Sequence, residues 1–188
     1  MISIGQGPIT ATPLQVVRMV AAIANGGFLV TPHVVRRLER PTGDEPPNGD
    51  RPQQTPRSTG DISIKPPQAI AGLNDRMLAI IGKGLRQTVA DQQGTAHGLI
   101  ELDHVAIAGK TGTAETGGNQ PEHAWFVGYA PADQPQVAFV VVMEHAGNAA
   151  PTTGPVVQYL VQRMDELGYF GKKQEWVVGG DNRRQMVK

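Results

Sequence analysis

The chain contains no cysteine, which excludes a disulfide framework and thiol chemistry and leaves the redox compartment open. It has no excess of charge either: 17 basic and 17 acidic residues give a formal net charge of zero. Holding a phosphate backbone needs a basic surplus, so nucleic acid is not expected as a partner. Long apolar runs are missing. The longest strand-like one, Val137 to Met143, is far short of the roughly 20 residues that a bilayer-spanning helix needs. No charged-then-apolar leader is visible, so no signal peptide is expected. Metal-ligand spacing is absent as well. His33, His97, His104, His123 and His145 form no His-x-x-x-His or His-x-Glu-like pair, and scattered single histidines more often serve packing or the surface than ligation. Neither a metal nor a cofactor is expected.

What is present fits one domain with many turns. A length of 188 residues suits a single domain, 39% apolar residues can supply a core, and 23 glycines with 15 prolines imply loops. The most informative stretch is residues 105–115, Val-Ala-Ile-Ala-Gly-Lys-Thr-Gly-Thr-Ala-Glu. Its small and β-branched apolar residues read as a buried strand over 105–111. At the end of that strand stand Lys110, Thr111 and Thr113 with Gly109 and Gly112. Glycine weakens a strand interior, so its usual reason is close approach by a ligand or another backbone. Lysine brings a compact cation, and threonine hydroxyls are short donors suited to a carboxylate. That set can grip an anionic peptide end against a sheet edge. Alone, Lys-Thr-Gly is also a common tripeptide without function.

Gly-Lys-Thr invites a phosphate-binding loop, and two tests reject it. The loop needs Gly-x-x-x-x-Gly-Lys-Ser/Thr followed by a helix. The position of the first glycine holds His104, and Gly112, Gly117, Gly118, Asn119 and Pro121 follow where a helix should start.

Context then narrows the reading. Ser3-Ile4-Gly5-Gln6-Gly7-Pro8-Ile9-Thr10-Ala11-Thr12-Pro13-Leu14-Gln15 and Ala24-Asn25-Gly26-Gly27 come first. Gly94-Thr95-Ala96, Gly109-Lys110-Thr111-Gly112-Thr113-Ala114-Glu115 and Trp125-Phe126-Val127-Gly128-Tyr129-Ala130-Pro131 follow in that order. The series resembles the C-terminal part of the transpeptidase domain of class B penicillin-binding proteins, nearest the elongation-type penicillin-binding protein 2 group. The resemblance covers roughly residues 1–168.

That family acylates on a serine in Ser-x-x-Lys and uses a second Ser-x-Asn element. Three residues after Ser3, Ser58 and Ser63 stand Gln6, Asp61 and Pro66, and two residues after them stand Gly5, Gly60 and Lys65. Neither element is in this sequence, and in the family pattern both lie upstream of its first residue. The expectation is a C-terminal portion carrying one of three catalytic motifs and inactive alone, with the missing N-terminal half of the domain as its partner. A self-standing, non-catalytic module that binds peptidoglycan peptide or an envelope partner is the alternative.

The resemblance implies roles residue by residue. The substrate would be a peptidoglycan stem peptide ending in D-Ala-D-Ala, mimicked by β-lactams, lying along the Lys-Thr-Gly strand as an added strand. Lys110 would favour the substrate carboxylate and assist proton movement, and Thr111 and Thr113 would hydrogen-bond that carboxylate. The Thr113 N–H would be one oxyanion donor, and Gly112 would leave room for the peptide. Lys110 and Thr113 are thus the catalytic candidates; Lys110, Thr111, Gly112 and Thr113 are the substrate-binding ones. It further implies a role in cell-wall synthesis and cell shape, an extracytoplasmic location on a membrane-anchored parent, and a membrane glycosyltransferase as partner of that parent.

The remaining chain reads as follows. Thr12 as N-cap, Pro13 and Gln15 start a helix whose apolar stripe is Leu14, Val17, Val20, Ala21 and Ala24, closed by Asn25-Gly26-Gly27. Phe28–Val30 and Val34–Leu38 read as short strands. Residues 41–67, with seven prolines and no aromatic, read as an exposed excursion, or else as an extended recognition segment. A helix from Asp75 to Val89 follows, capped by Asn74. Strands at 124–130 and 137–144 form a hairpin through Pro131–Gln136, and 137–143, apolar on both pleat faces, reads as a central strand. Thr152–Leu167 is a last amphipathic helix. Residues 169–188 read as a tail, loose over 171–188 apart from Trp176-Val177-Val178. Glu115 is read as structural, and Trp125 and Phe126 as core. The fold class is α+β, a mainly antiparallel sheet with helices on both faces; the resemblance makes it an incomplete penicillin-binding transpeptidase, serine β-lactamase-like fold.

Overall fold

A computed structural model describes residues 10–35, 37–38, 60–61, 65–171, 176–178 and 184–186. The chain divides into two compact units, Met1–Val30 with Pro67–Lys188, and Thr31–Pro66.

Helix α1 (Pro13–Ala24) begins where the residues dictate. The Gln15 N–H donates to Thr12 Oγ1 at 3.3 Å, and the Thr12 N–H donates to Gln15 Oε1 at 2.8 Å. This reciprocal box satisfies two of the amides that a helix start leaves open, and Pro13 has no N–H to lose. Gly26 (φ 86°) and Gly27 (φ 90°) then turn the chain in the left-handed region that glycine enters without strain. Strand β1 (Phe28–Leu29) follows. In the second unit, β2 (Arg37–Leu38) pairs with β3 (Gly60–Asp61). The expected strand from Val34 is shorter, because Val34 sits in a bend. The excursion at 41–67 contributes β3, and apart from 60–61 and 65–67 it lies outside the described residues. Strand β4 (Gln68–Ala69) returns to pair with β1.

Helix α2 (Asp75–Ala90) is capped by Asn74, whose Oδ1 accepts from the Met77 N–H at 3.0 Å. A turn-rich segment leads to β5 (Ala108–Ala114), β6 (His123–Ala130) and β7 (Val137–Met143), an antiparallel meander in the order β5-β6-β7. Helix α3 (Ala149–Glu166) follows, and β8 (Trp176–Val178) pairs with β9 (Arg184–Met186). Strand β8 is the Trp176-Val177-Val178 exception within the tail, and β9 is the strand that its composition did not announce. The start of α3 precedes the expected Thr152 because Pro151 and Pro155 both lie within the helix. Read from sequence they look like boundaries.

The sheet is covered on both faces. On one side α1 and α2 pack Val20, Ala24 and Leu85 against Ala108, Val127, Tyr129 and Ala138. On the other, Val157 and Val161 of α3 meet Ile107, Phe126 and Phe139, with Ile100 joining from the segment after α2. Each such fully buried side chain contributes about 1.5–3 kcal/mol. Alternation along the strands supplies both cores: Phe126 and Phe139 point one way, Val127 and Ala138 the other. One expectation is corrected here. Strand β7 is apolar on both faces, yet it lies outermost and β6 is central among the described strands. A two-sided apolar pattern reports cover above and below, and helices supply that cover.

Candidate functional site

Strand β5 begins three residues later than its apolar run suggested, at Ala108, and continues through Ala114. The reason is pairing. Each residue from Ala108 to Ala114 has a partner on β6, with Lys110 opposite Val127, Thr111 opposite Phe126, Gly112 opposite Trp125 and Thr113 opposite Ala124. Lys110, Thr111, Gly112 and Thr113 thus sit inside the strand, not beyond its end. Strand β6 occupies one side of β5, and among the described residues no strand occupies the other. That outer backbone edge is the place where an extended peptide can add.

Strand geometry divides the four candidates between two faces. Directly opposed residues of an antiparallel pair share a face. Lys110 and Gly112 fall with Val127 and Trp125 on the side of α1 and α2; Thr111 and Thr113 fall with Phe126 and Ala124 on the side of α3. They are brought together only along the edge itself, where a bound strand meets residues from both rows. Lys110 is exposed, and its Nζ donates to the Thr111 carbonyl at 2.6 Å. An ammonium has three donors, so this contact leaves capacity for an anion. Thr113 is exposed. Thr111 is buried, at 8% exposure. Its Oγ1 lies 2.7 Å from Thr95 Oγ1.

The two glycines of the motif serve different purposes. A Cβ on Gly109 would fall onto Phe126 Cζ and come 2.7 Å from the Val127 carbonyl oxygen. Gly109 is therefore demanded by the core beneath it and by the close backbone of β6, the second being one of the two reasons that its place in a strand suggested. A Cβ on Gly112 would meet only Trp125 Cβ, at 3.4 Å. Space at Gly112 is open enough that its missing side chain matters to whatever approaches. Next to it, Trp125 Nε1 is buried without a hydrogen-bond partner.

Two further residues escaped the sequence reading. Arg86 on α2 donates from Nη1 to the Ile107 carbonyl at 3.2 Å, tying the helix to the start of β5. Thr95 ties the same strand farther along; its Gly-Thr-Ala triplet was the signal that could have found it. The histidines make local contacts. The Nδ1 atom of His123 accepts from the His145 N–H at 3.0 Å, and His97 and His104 approach Glu101 and Asp165 at 2.9 and 3.3 Å. Among the described residues no three His, Asp or Glu side chains cluster to hold a metal, and no helix is long and apolar enough to cross a membrane.

This arrangement can be set beside known proteins. Residues 1–162 match the model of the penicillin binding protein transpeptidase domain. The peptidoglycan D,D-transpeptidase PbpA of Mycolicibacterium smegmatis is 37% identical over 157 residues, covering 82% of this chain and 28% of PbpA. The peptidoglycan D,D-transpeptidase MrdA of Acinetobacter baumannii is 35% identical over 177 residues, covering 84% of this chain and 23% of MrdA. Among solved structures, the imipenem acyl-enzyme complex of penicillin-binding protein A from M. tuberculosis superposes with a TM-score of 0.63 at 30% identity, over 87% of this chain and 33% of that one. The complex between penicillin-binding protein PBP2 and MreC from Helicobacter pylori gives 0.66 at 26% identity, over 90% and 27%. The chain thus spans about a quarter to a third of the proteins it matches. The chain belongs to the penicillin-binding protein transpeptidase domain family.

Proposed function

We propose that this chain supplies the substrate-binding strand of a serine-type D,D-transpeptidase that cross-links peptidoglycan on the outer side of the cell membrane. The observation that carries this reading is the outer edge of β5, open among the described residues and bordered by Lys110 on one face and by Thr111 and Thr113 on the other. A stem peptide or a β-lactam adds along that edge as an extended strand. Lys110 attracts the terminal carboxylate and assists proton movement, Thr113 hydrogen-bonds the carboxylate, and Thr111 acts through the hydroxyl it shares with Thr95. Gly112 leaves the approach clear. The Thr113 N–H is one of two donors to the oxyanion, a contribution of about 2.7–4 kcal/mol in acyl-transfer sites. The serine nucleophile and its lysine come from the part of the domain outside this sequence. The complex of the Helicobacter pylori relative with MreC makes an MreC-like protein a partner to seek for the parent.

The test is intact mass and peptide mapping after incubation with penicillin G. The full-length parent should gain one acyl group on a serine outside residues 1–188, and Lys110→Ala should slow that reaction by at least a hundredfold. The 188-residue chain alone should gain none, because covalent catalysis needs a nucleophile with an adjacent base. Stoichiometric acylation of Ser3, Ser58 or Ser63 would overturn the reading. A parent that never acylates would favour a self-standing binding module.

A further inference from the structure

We propose that Thr95 is a specificity residue of this site, its hydroxyl held by Thr111 and presented to the carboxylate of a peptide or β-lactam bound along β5. The inference rests on the transpeptidase reading above. It starts from an asymmetry between two hydroxyls 2.7 Å apart. Thr111 lies within the strand motif but is buried, whereas Thr95 is exposed at the surface beside it. A ligand approaching the edge from solvent meets Thr95 first.

Hydrogen-bond chemistry then fixes the order. A hydroxyl has one proton to give and two lone pairs to receive, and a carboxylate can only accept. Thr95 can donate to the carboxylate only if it accepts from Thr111, so the bound state runs from Thr111 to Thr95 to the anion. Each bond in such a chain polarises the next, and the terminal one gains strength from being charge-assisted. The unbound pair leaves the donor direction open, so the anion selects it at little cost.

The turn that carries Thr95 is held in place on both sides. The Gly94 N–H donates to the Asp91 carbonyl at 2.8 Å, the Ala96 N–H to the Thr88 carbonyl at 3.0 Å, and the His97 N–H to the Gly94 carbonyl at 3.1 Å. Ala96 is fully buried in the core shared with α3. A Cβ on Gly94 would overlap the Thr88 carbonyl oxygen and come 2.5 Å from that of Gln87, so only glycine lets the chain pass so close to the end of α2. The Gly-Thr-Ala triplet is thereby explained position by position. Glycine permits the approach, alanine anchors the turn, and threonine offers the hydroxyl. Donors held in advance cost little ordering when the ligand arrives.

The test uses the full-length parent and compares acylation by penicillin G with that by its methyl ester, whose carboxylate is masked. The ratio of the two second-order rate constants is taken within each variant, so it does not depend on the fraction folded. Thr95→Val keeps shape and removes the hydroxyl; it should shrink the acid-over-ester ratio by about tenfold, the scale of one charge-assisted hydrogen bond. Thr95→Ser should retain the ratio. Thr111→Val, which leaves the Thr95 hydroxyl in place, should reduce it by less than Thr95→Val does. An unchanged ratio in Thr95→Val, or a larger loss in Thr111→Val than in Thr95→Val, overturns the proposal and leaves the transpeptidase reading standing. A wild-type parent that is acylated by neither compound refutes both together.

Discussion

Gly109 and Gly112 stand three positions apart in one strand, and replacing each with alanine should give opposite results. Neither has a positive φ, so alanine meets no backbone strain at either place. At Gly109 the new methyl would lie on Phe126 Cζ and 2.6 Å from Cε1. That ring cannot retreat: Phe126 is fully buried and stacks on Phe139 with centroids 6.1 Å apart. Overpacking of this kind costs about 1–3 kcal/mol. Relief of glycine's unfolded-state entropy returns about 0.5–1 kcal/mol. With the Val127 carbonyl oxygen also 2.7 Å from the methyl, the overpacking cost falls in the upper half of its range, about 2–3 kcal/mol. A net loss of roughly 1–2.5 kcal/mol lowers the melting temperature by about 2–10 °C, at the 2–4 °C per kcal/mol expected for a domain of 150–250 residues. Adding Phe126→Leu should recover part of the loss by making room. At Gly112 the methyl would sit at ordinary contact distance, 3.4 Å from Trp125 Cβ, so stability should hold within about 0.5 kcal/mol. Acylation of the parent by penicillin should nevertheless fall, since the methyl projects where the peptide is proposed to lie. Thermal melting followed by calorimetry, with a penicillin acylation assay on the same samples, reads both quantities. If Gly109→Ala melted like the wild type, the pairing of Gly109 and Gly128 would be wrong, because a slip of one residue would turn Phe126 to the other face.

Further expectations rest on other parts of the molecule. The isolated chain should self-associate through β7, whose outer edge is open among the described residues and carries no charge; sedimentation velocity across a concentration series checks this, and a monodisperse, cooperatively melting monomer would count against it. Val141 is a poor place for a solubilising lysine, since it packs against the α3-side core; Val141→Lys should lower the melting temperature. Burial raises the Tyr129 phenol above its ordinary value near 10. The folded state therefore holds that proton more tightly than the unfolded chain, so this contribution is complete below about pH 10 and is lost as pH rises above it. Tyr129→Phe should flatten the alkaline limb of a stability-versus-pH curve measured by urea unfolding. Arg86→Ala should cut the tie to the Ile107 carbonyl and, by freeing the start of β5, raise amide exchange at 108–110 more than at 123–130.

Much of the fold was legible because its signals are local. The box formed by Thr12 and Gln15, the cap at Asn74 and the short connection at Pro131–Gln136 each sit within a few residues, and each stands where the sequence put it. Signals that depend on distant residues were misplaced. The start of β5 moved from 105 to 108 because its limits are set by pairing with His123–Ala130, which periodicity does not encode. Helix α3 began early: Ala149 and Ala150 in its first turn are buried, and that burial outweighs the two prolines within the helix. The site was legible as a set of residue types but not as a geometry. Nothing in Gly-Lys-Thr-Gly-Thr says that Lys110 falls on the side of α1 and α2 and Thr111 on that of α3, that Gly109 yields to Phe126, or that the hydroxyl of Thr111 is shared with a turn 16 residues away.

The two outer edges of the meander differ in edge chemistry more than in face pattern, and on the proposed reading that difference separates a ligand site from a place where a further strand pairs. Both β5 and β7 present an open side among the described residues, and both therefore offer the same backbone donors and acceptors to an incoming strand. What distinguishes them is the side chains beside that backbone. Strand β7 reads Val-Ala-Phe-Val-Val-Val-Met, half-buried along most of its length and with Phe139 alone fully in the core. Its helices cover it only in part, so a second apolar strand would complete its burial at no electrostatic cost. Strand β5 carries an exposed lysine and an exposed threonine, and beside it stands the exposed Thr95. An apolar strand pairing there would take a cation and hydroxyls out of water, at a desolvation cost that, on the proposed reading, a peptide ending in a carboxylate offsets. On the proposed reading, the same pairing geometry takes a further strand of protein at β7 and an anionic peptide at β5.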